Sequence, residues 1–107
     1  MGVPPFEVLK SFEDGSSILH IRGELDFGTA GVLQDALTQV LEEDVAHLIL
    51  NMEDVTFLDS EGVKILLQAH RKVSDRGGVM SIRNCSQFVQ NVFEILGLQQ
   101  YLEISVS

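Results

Sequence analysis

Val55-Thr56-Phe57-Leu58-Asp59-Ser60-Glu61-Gly62-Val63-Lys64-Ile65-Leu66-Leu67 carries an apolar, strand-like segment into an Asp-Ser pair, and a helical pattern starts at once. Such a junction sets Ser60 near the first turn of a helix with its hydroxyl toward solvent. Free backbone N–H groups and the positive end of the helix dipole favour added negative charge there. A serine so placed can be a cap, a nucleophile or a phosphorylation switch.

Working outward, Val45 to Met52 is a nearly continuous apolar run of strand length, the pattern of a strand covered on both faces in a parallel arrangement. After Ser60 a helical stripe of Val63, Leu66, Leu67 and Val73 runs to Arg76-Gly77-Gly78, and Val79 to Arg83 is the next short strand. Strand, helix, strand implies a right-handed crossover between parallel neighbours. Upstream, Phe6 to Phe12 and Ser17 to Gly23 flank an Asp14-Gly15 turn signal and pair as a hairpin. From Thr29 to Glu43, Leu33, Ala36, Leu37, Val40 and Leu41 recur at helical spacing, with Thr29 as a possible cap. Downstream, Ser86 caps a helix bearing Val89, Val92, Phe93 and Leu96 that stops at Gly97, and Leu102 to Val106 reads as an edge strand. No repeat, low-complexity tract or linker interrupts this order.

Composition narrows the functions. The 107 residues suit one domain with one core. Seven Lys and Arg against 16 Asp and Glu give a formal charge of −9, which argues against nucleic acid and suits a basic protein surface. No apolar run approaches the ~18 residues of a membrane span, and the N-terminus lacks a signal-peptide core. We therefore expect no membrane insertion. The lone Cys85 has no internal disulfide partner, in keeping with a reducing cytosol.

Most site chemistry is missing. The phosphate-cradling glycine motifs are absent, so no nucleotide cofactor is expected. His20, His47 and His70 are widely spaced without paired ligands, so no metal is expected; His47 and His70 read as structural. Cys85 reads as a buried thiol. Ser60 lacks the Gly-x-Ser-x-Gly frame of a nucleophile elbow, Leu58 standing where the first glycine belongs. Asp59 and Glu61 would oppose an alkoxide between them. A cap remains open to Ser60, since a serine N-cap contributes roughly 0.5–2 kcal/mol.

Five pieces in order resemble the STAS domain, and more narrowly the bacterial anti-sigma factor antagonists. These are Gly23-Glu24-Leu25-Asp26, Leu48-Ile49-Leu50-Asn51-Met52, Phe57-Leu58-Asp59-Ser60-Glu61-Gly62, Gly77-Gly78 and Val92-Phe93-Glu94-Ile95-Leu96-Gly97-Leu98. The resemblance implies a single α/β STAS-type domain over residues 1–107. Its mixed four- to five-stranded sheet, with an N-terminal hairpin, would pack against about four helices. It also implies a cytoplasmic, non-enzymatic protein that binds an anti-sigma factor acting as a serine kinase, and so frees a sigma factor. Phosphorylation of Ser60 would end binding, and a serine phosphatase would restore it.

On the same resemblance Asp59 orients the loop, while Glu24, Asp26 and Gly62 shape the docking surface with Thr29 and Glu61. The family usually has a small hydroxylic residue at Glu61 and often Gly at Lys64. Lys64, four residues past Ser60, is either a phosphate partner or a solvated lysine. Ile65 and Ala69, off the main stripe, are either an exposed apolar anchor for the partner or second-layer core. The rival function is an unswitched STAS scaffold, such as a subunit of a lipid-transport or signalling assembly.

Overall fold

Alternating apolar segments and turn residues set the order of elements. A computed structural model of the chain describes residues 2, 5–43 and 46–105. Strands β1 (Glu7–Glu13) and β2 (Ser16–Leu25) are followed by helix α1 (Ala30–Glu42), strand β3 (His47–Leu58) and helix α2 (Ser60–Asp75). Strand β4 (Val79–Arg83), helix α3 (Gln87–Leu96), a 3-10 turn (Leu98–Gln100) and strand β5 (Glu103–Ile104) complete the order among the described residues. The five strands form one sheet in the order β1-β2-β3-β4-β5.

The hairpin forms as the Asp-Gly signal predicts. Asp14 and Gly15 both take positive φ (51° and 82°), the geometry whose twist matches paired antiparallel strands. β1 is antiparallel to β2, and every later neighbour is parallel, so the sheet is mixed. Leu48, Ile49 and Leu50 are buried in succession, as a central strand covered on both faces requires. Val45 and Val106, which the strand readings included, lie outside the described residues.

Three α-helices are present among the described residues, where about four were expected. Gly97 adopts a left-handed φ of 66° and ends α3. The few residues left before β5 close only a 3-10 turn. β3 is also longer than the apolar run that announced it. It passes through Glu53 and Asp54 to Leu58, with register shifts against β2 that fall at Met52-Glu53, between His20 and Arg22, and at Thr56, between Gly23 and Glu24. The Arg22–Asp54 ion pair (3.5 Å) lies beside the first shift.

The helices seal a core built on Leu19, Ile21, Leu25, Leu33, Leu66 and Phe93. α1 packs on α2, and the Arg76 guanidinium donates to the Leu41 carbonyl across their C-terminal ends. No helix among the described residues is long and apolar enough to cross a membrane.

Candidate functional site

Asp59 begins the site. Its backbone is extended (φ −106°, ψ −175°), so its side chain faces the opening turn of α2. Oδ1 accepts from the Gly62 N–H at 3.0 Å, and Oδ2 accepts from the Phe27 N–H at 3.0 Å. One carboxylate thus caps α2 and ties down the loop that follows β2. Ser60, the first residue of the helix, is exposed, and its hydroxyl has no hydrogen-bond partner among the described residues. The cap reading of Ser60 is therefore corrected: Asp59 does that work, because a carboxylate can hold two donors at once.

The loop has its own lock. The Asp26 Oδ1 accepts from the N–H groups of Gly28 (2.9 Å) and Thr29 (3.1 Å). Thr29 Oγ1 accepts from the Asp26 N–H (2.9 Å) and donates to the Glu24 carbonyl (2.6 Å). Thr29 stands at the N-cap position of α1 but makes no side-chain cap bond, since its hydroxyl is spent inside the loop. The first α1 N–H, that of Ala30, goes instead to the Asp26 carbonyl at 2.8 Å.

Strand pairing brings the two halves together. Glu24 pairs with Phe57 and Leu25 with Leu58, so the ends of β2 and β3 meet directly below the loop and the α2 N-terminus. Glu24, Asp26, Thr29, Asp59, Ser60 and Glu61 therefore lie at one end of the sheet, with Lys64 exposed a turn further along α2. Gly62 is buried. A Cβ there would lie 2.7 Å from Leu58 Cδ1 and 2.8 Å from the Leu25 carbonyl oxygen. The lack of a side chain at Gly62 lets α2 close onto both strands.

Ile65 and Ala69 resolve to core. They are 7% and 3% exposed and face Leu37 and Leu41 of α1, so they offer no exposed anchor. α1 covers a wider arc of α2 than the apolar stripe suggested. The large exposed apolar side chains near this end of the sheet are aromatic, and the sequence reading passed over them. Phe27 is 81% exposed, while Phe57 and Phe88 are 41% and 42% exposed with ring centroids 5.8 Å apart. The available signal was a large aromatic inside the acidic, glycine-bearing loop Leu25-Asp26-Phe27-Gly28-Thr29.

The remaining candidates are structural. His47 is half-buried, its ring nitrogens 3.2 Å from Ser16 Oγ and 3.0 Å from Ser81 Oγ, bridging three strands. Cys85 is buried, and burial pushes its thiol up from 9.0 to about 11, which keeps it protonated at neutral pH. Among the described residues no group of three or more His, Cys, Asp or Glu is placed to hold a metal.

Comparison with known proteins finds the same fold. The STAS domain family matches residues 7–107. The chain is 31% identical over 87 residues to an anti-sigma-B factor antagonist of Bacillus subtilis (strain 168), covering 81% of this chain and 79% of the relative. An anti-sigma factor antagonist from Mycobacterium paratuberculosis superposes with a TM-score of 0.88 at 24% identity, over 96% of this chain and 87% of that one. The phosphorylated form of the Bacillus cell fate determinant SpoIIAA superposes with a TM-score of 0.70 at 22% identity, over 94% and 90%. With a hairpin-led mixed sheet and the family model matched over residues 7–107, this chain belongs to the STAS domain family.

Proposed function

We propose that residues 1–107 form one STAS domain that acts in the cytoplasm as an anti-sigma factor antagonist. Unphosphorylated, it docks on an anti-sigma factor that is also a serine kinase, and the sigma factor is released. The kinase phosphorylates Ser60, the complex separates, and a serine phosphatase resets the chain. The protein is thus ligand and substrate, not catalyst.

One observation carries this reading: the Ser60 hydroxyl is exposed on the first residue of α2 and is free of the capping duty that Asp59 performs. A kinase can reach it without unfolding the helix. Phosphorylation adds about −1.5 to −2 charge at a helix N-terminus, which the dipole tolerates. The fold would therefore persist while the surface changes. Asp59 and Glu61 flank the acceptor, and the locked loop sets Glu24 and Asp26 at the same end of the sheet. A dianion added to such a surface disrupts a docked interface, where one broken desolvated contact costs about 2–5 kcal/mol. Lys64 is the nearby cation on α2 and partners the phosphate once it is present.

The test is a capture from native lysate with wild type and Ser60→Asp, read by mass spectrometry. Wild type should retain a small serine kinase-like protein that the Asp variant loses. Equal retention of transporter or scaffold proteins by both would replace the switch with an unswitched binding subunit.

A further inference from the structure

An aromatic ring left in water at a docking site calls for an occupant. Phe27 belongs neither to the core cluster nor to the partly buried residues packed against it. Its loop cannot swing to bury it, because Asp59 holds its N–H and Asp26 and Thr29 lock the turn on both sides. The ring is presented in a fixed place, which lowers the ordering cost of binding. Phe57, whose strand partner is Glu24, stacks in a tilted pair with Phe88 of the first turn of α3. The Ser86 hydroxyl donates to the Val55 carbonyl at 3.0 Å and fixes that turn against β3. Three aromatic rings are thereby mounted at the end of the sheet that carries Ser60.

We propose that Phe27 is the apolar anchor of the partner interface, with the Phe57–Phe88 pair as a lesser contact at the same end of the sheet, and that its occupant is a basic protein surface with an apolar cleft. This deepens the proposed function and rests on it: the surface is that of the anti-sigma kinase. Charge complementarity selects the occupant. Glu24, Asp26, Asp59 and Glu61 lie at this same end of the sheet in a chain of net charge −9, so a second copy of this chain would be repelled and a basic face attracted. Large exposed side chains held in place are also those that most often dominate a binding interface. The switch follows: a phosphate on Ser60 brings a heavily hydrated dianion to the edge of the surface that the partner must dry.

The test uses the kinase captured by wild type, purified and titrated by calorimetry against four variants. Phe27→Ala should weaken binding by about tenfold or more, and Phe88→Ala by roughly threefold. Ile95→Ala removes an 83% exposed side chain in the last turn of α3 and should leave the affinity unchanged. Circular dichroism should find the variants folded. Binding of Phe27→Ala within about twofold of wild type, less than ~0.5 kcal/mol, overturns the anchor. It is equally overturned if Phe27→Ala only dissolves a self-associated form in sedimentation, or if Ile95→Ala weakens binding as much. Ser60→Asp separates the two readings. Where it abolishes binding and Phe27→Ala does not, the switch stands and the anchor falls. Where it binds as wild type, the switch fails and the anchor stands or falls on the Phe27→Ala affinity; where no kinase is captured, both fall.

Discussion

At Asp59 two oxygens do two jobs, and the energetics of the site divide accordingly. Asp59→Ala removes the α2 cap and frees the Phe27 N–H, for a combined loss of about 2 kcal/mol in urea unfolding. Ser60→Ala, one residue on, should change stability by less than ~0.5 kcal/mol, because its exposed hydroxyl holds nothing. A substantial Ser60→Ala loss would return the serine to a capping role. Gly62→Ala is the opposite case: the new methyl meets the rigid Leu25 carbonyl and should cost about 1–3 kcal/mol. Its signature is a lower urea midpoint with the slope unchanged.

The elements succeed where the sequence carries a local stop or start. Ser86 accepts from the Val89 N–H (3.3 Å) and donates to the Val55 carbonyl, so it caps α3 and fastens it to β3. Ser86→Ala should lower stability by about 1 kcal/mol, a loss that Ser86→Asn, which can still cap, restores in part. That cap, the Gly97 stop and the Asp14-Gly15 turn were all legible, since each rests on a few contiguous residues. The full length of β3 was not. Glu53 and Asp54 resemble a break, and only the pairing of Asp54 with Arg22 on another strand carries the sheet past the register shift at Glu53. Likewise Ile65 could not be assigned to core without α1 lying across it. Of the site, the strand-to-helix junction at Asp59-Ser60 was legible locally, while Glu24 and Asp26 were singled out only through the family resemblance. The aromatics were not, because a phenylalanine's exposure is decided by what fails to cover it.

For the whole molecule, charge and burial give two solution signatures. A domain of net charge −9 meeting a basic partner is steered by long-range attraction. Raising the salt from 0.05 to 0.5 M should slow association severalfold in stopped flow while dissociation changes little. Salt-independent association would remove the basic partner. Cys85 supplies the second signature. Its thiol lies near 11 in the fold and 9.0 otherwise, so the folded state holds the proton longer. Stability from this group is therefore full below pH 9 and falls as pH rises from 9 toward 11. Cys85→Val should flatten that decline, and a thiol reagent at pH 8 should label the native protein slowly and the denatured protein at once. The strand order has a consequence for biosynthesis. Because β1 to β5 lie side by side in the order in which they are translated, no strand has to be threaded between two already placed. Each one leaving the ribosome finds its neighbour's open edge waiting, so the sheet can grow from one side as fast as the chain emerges.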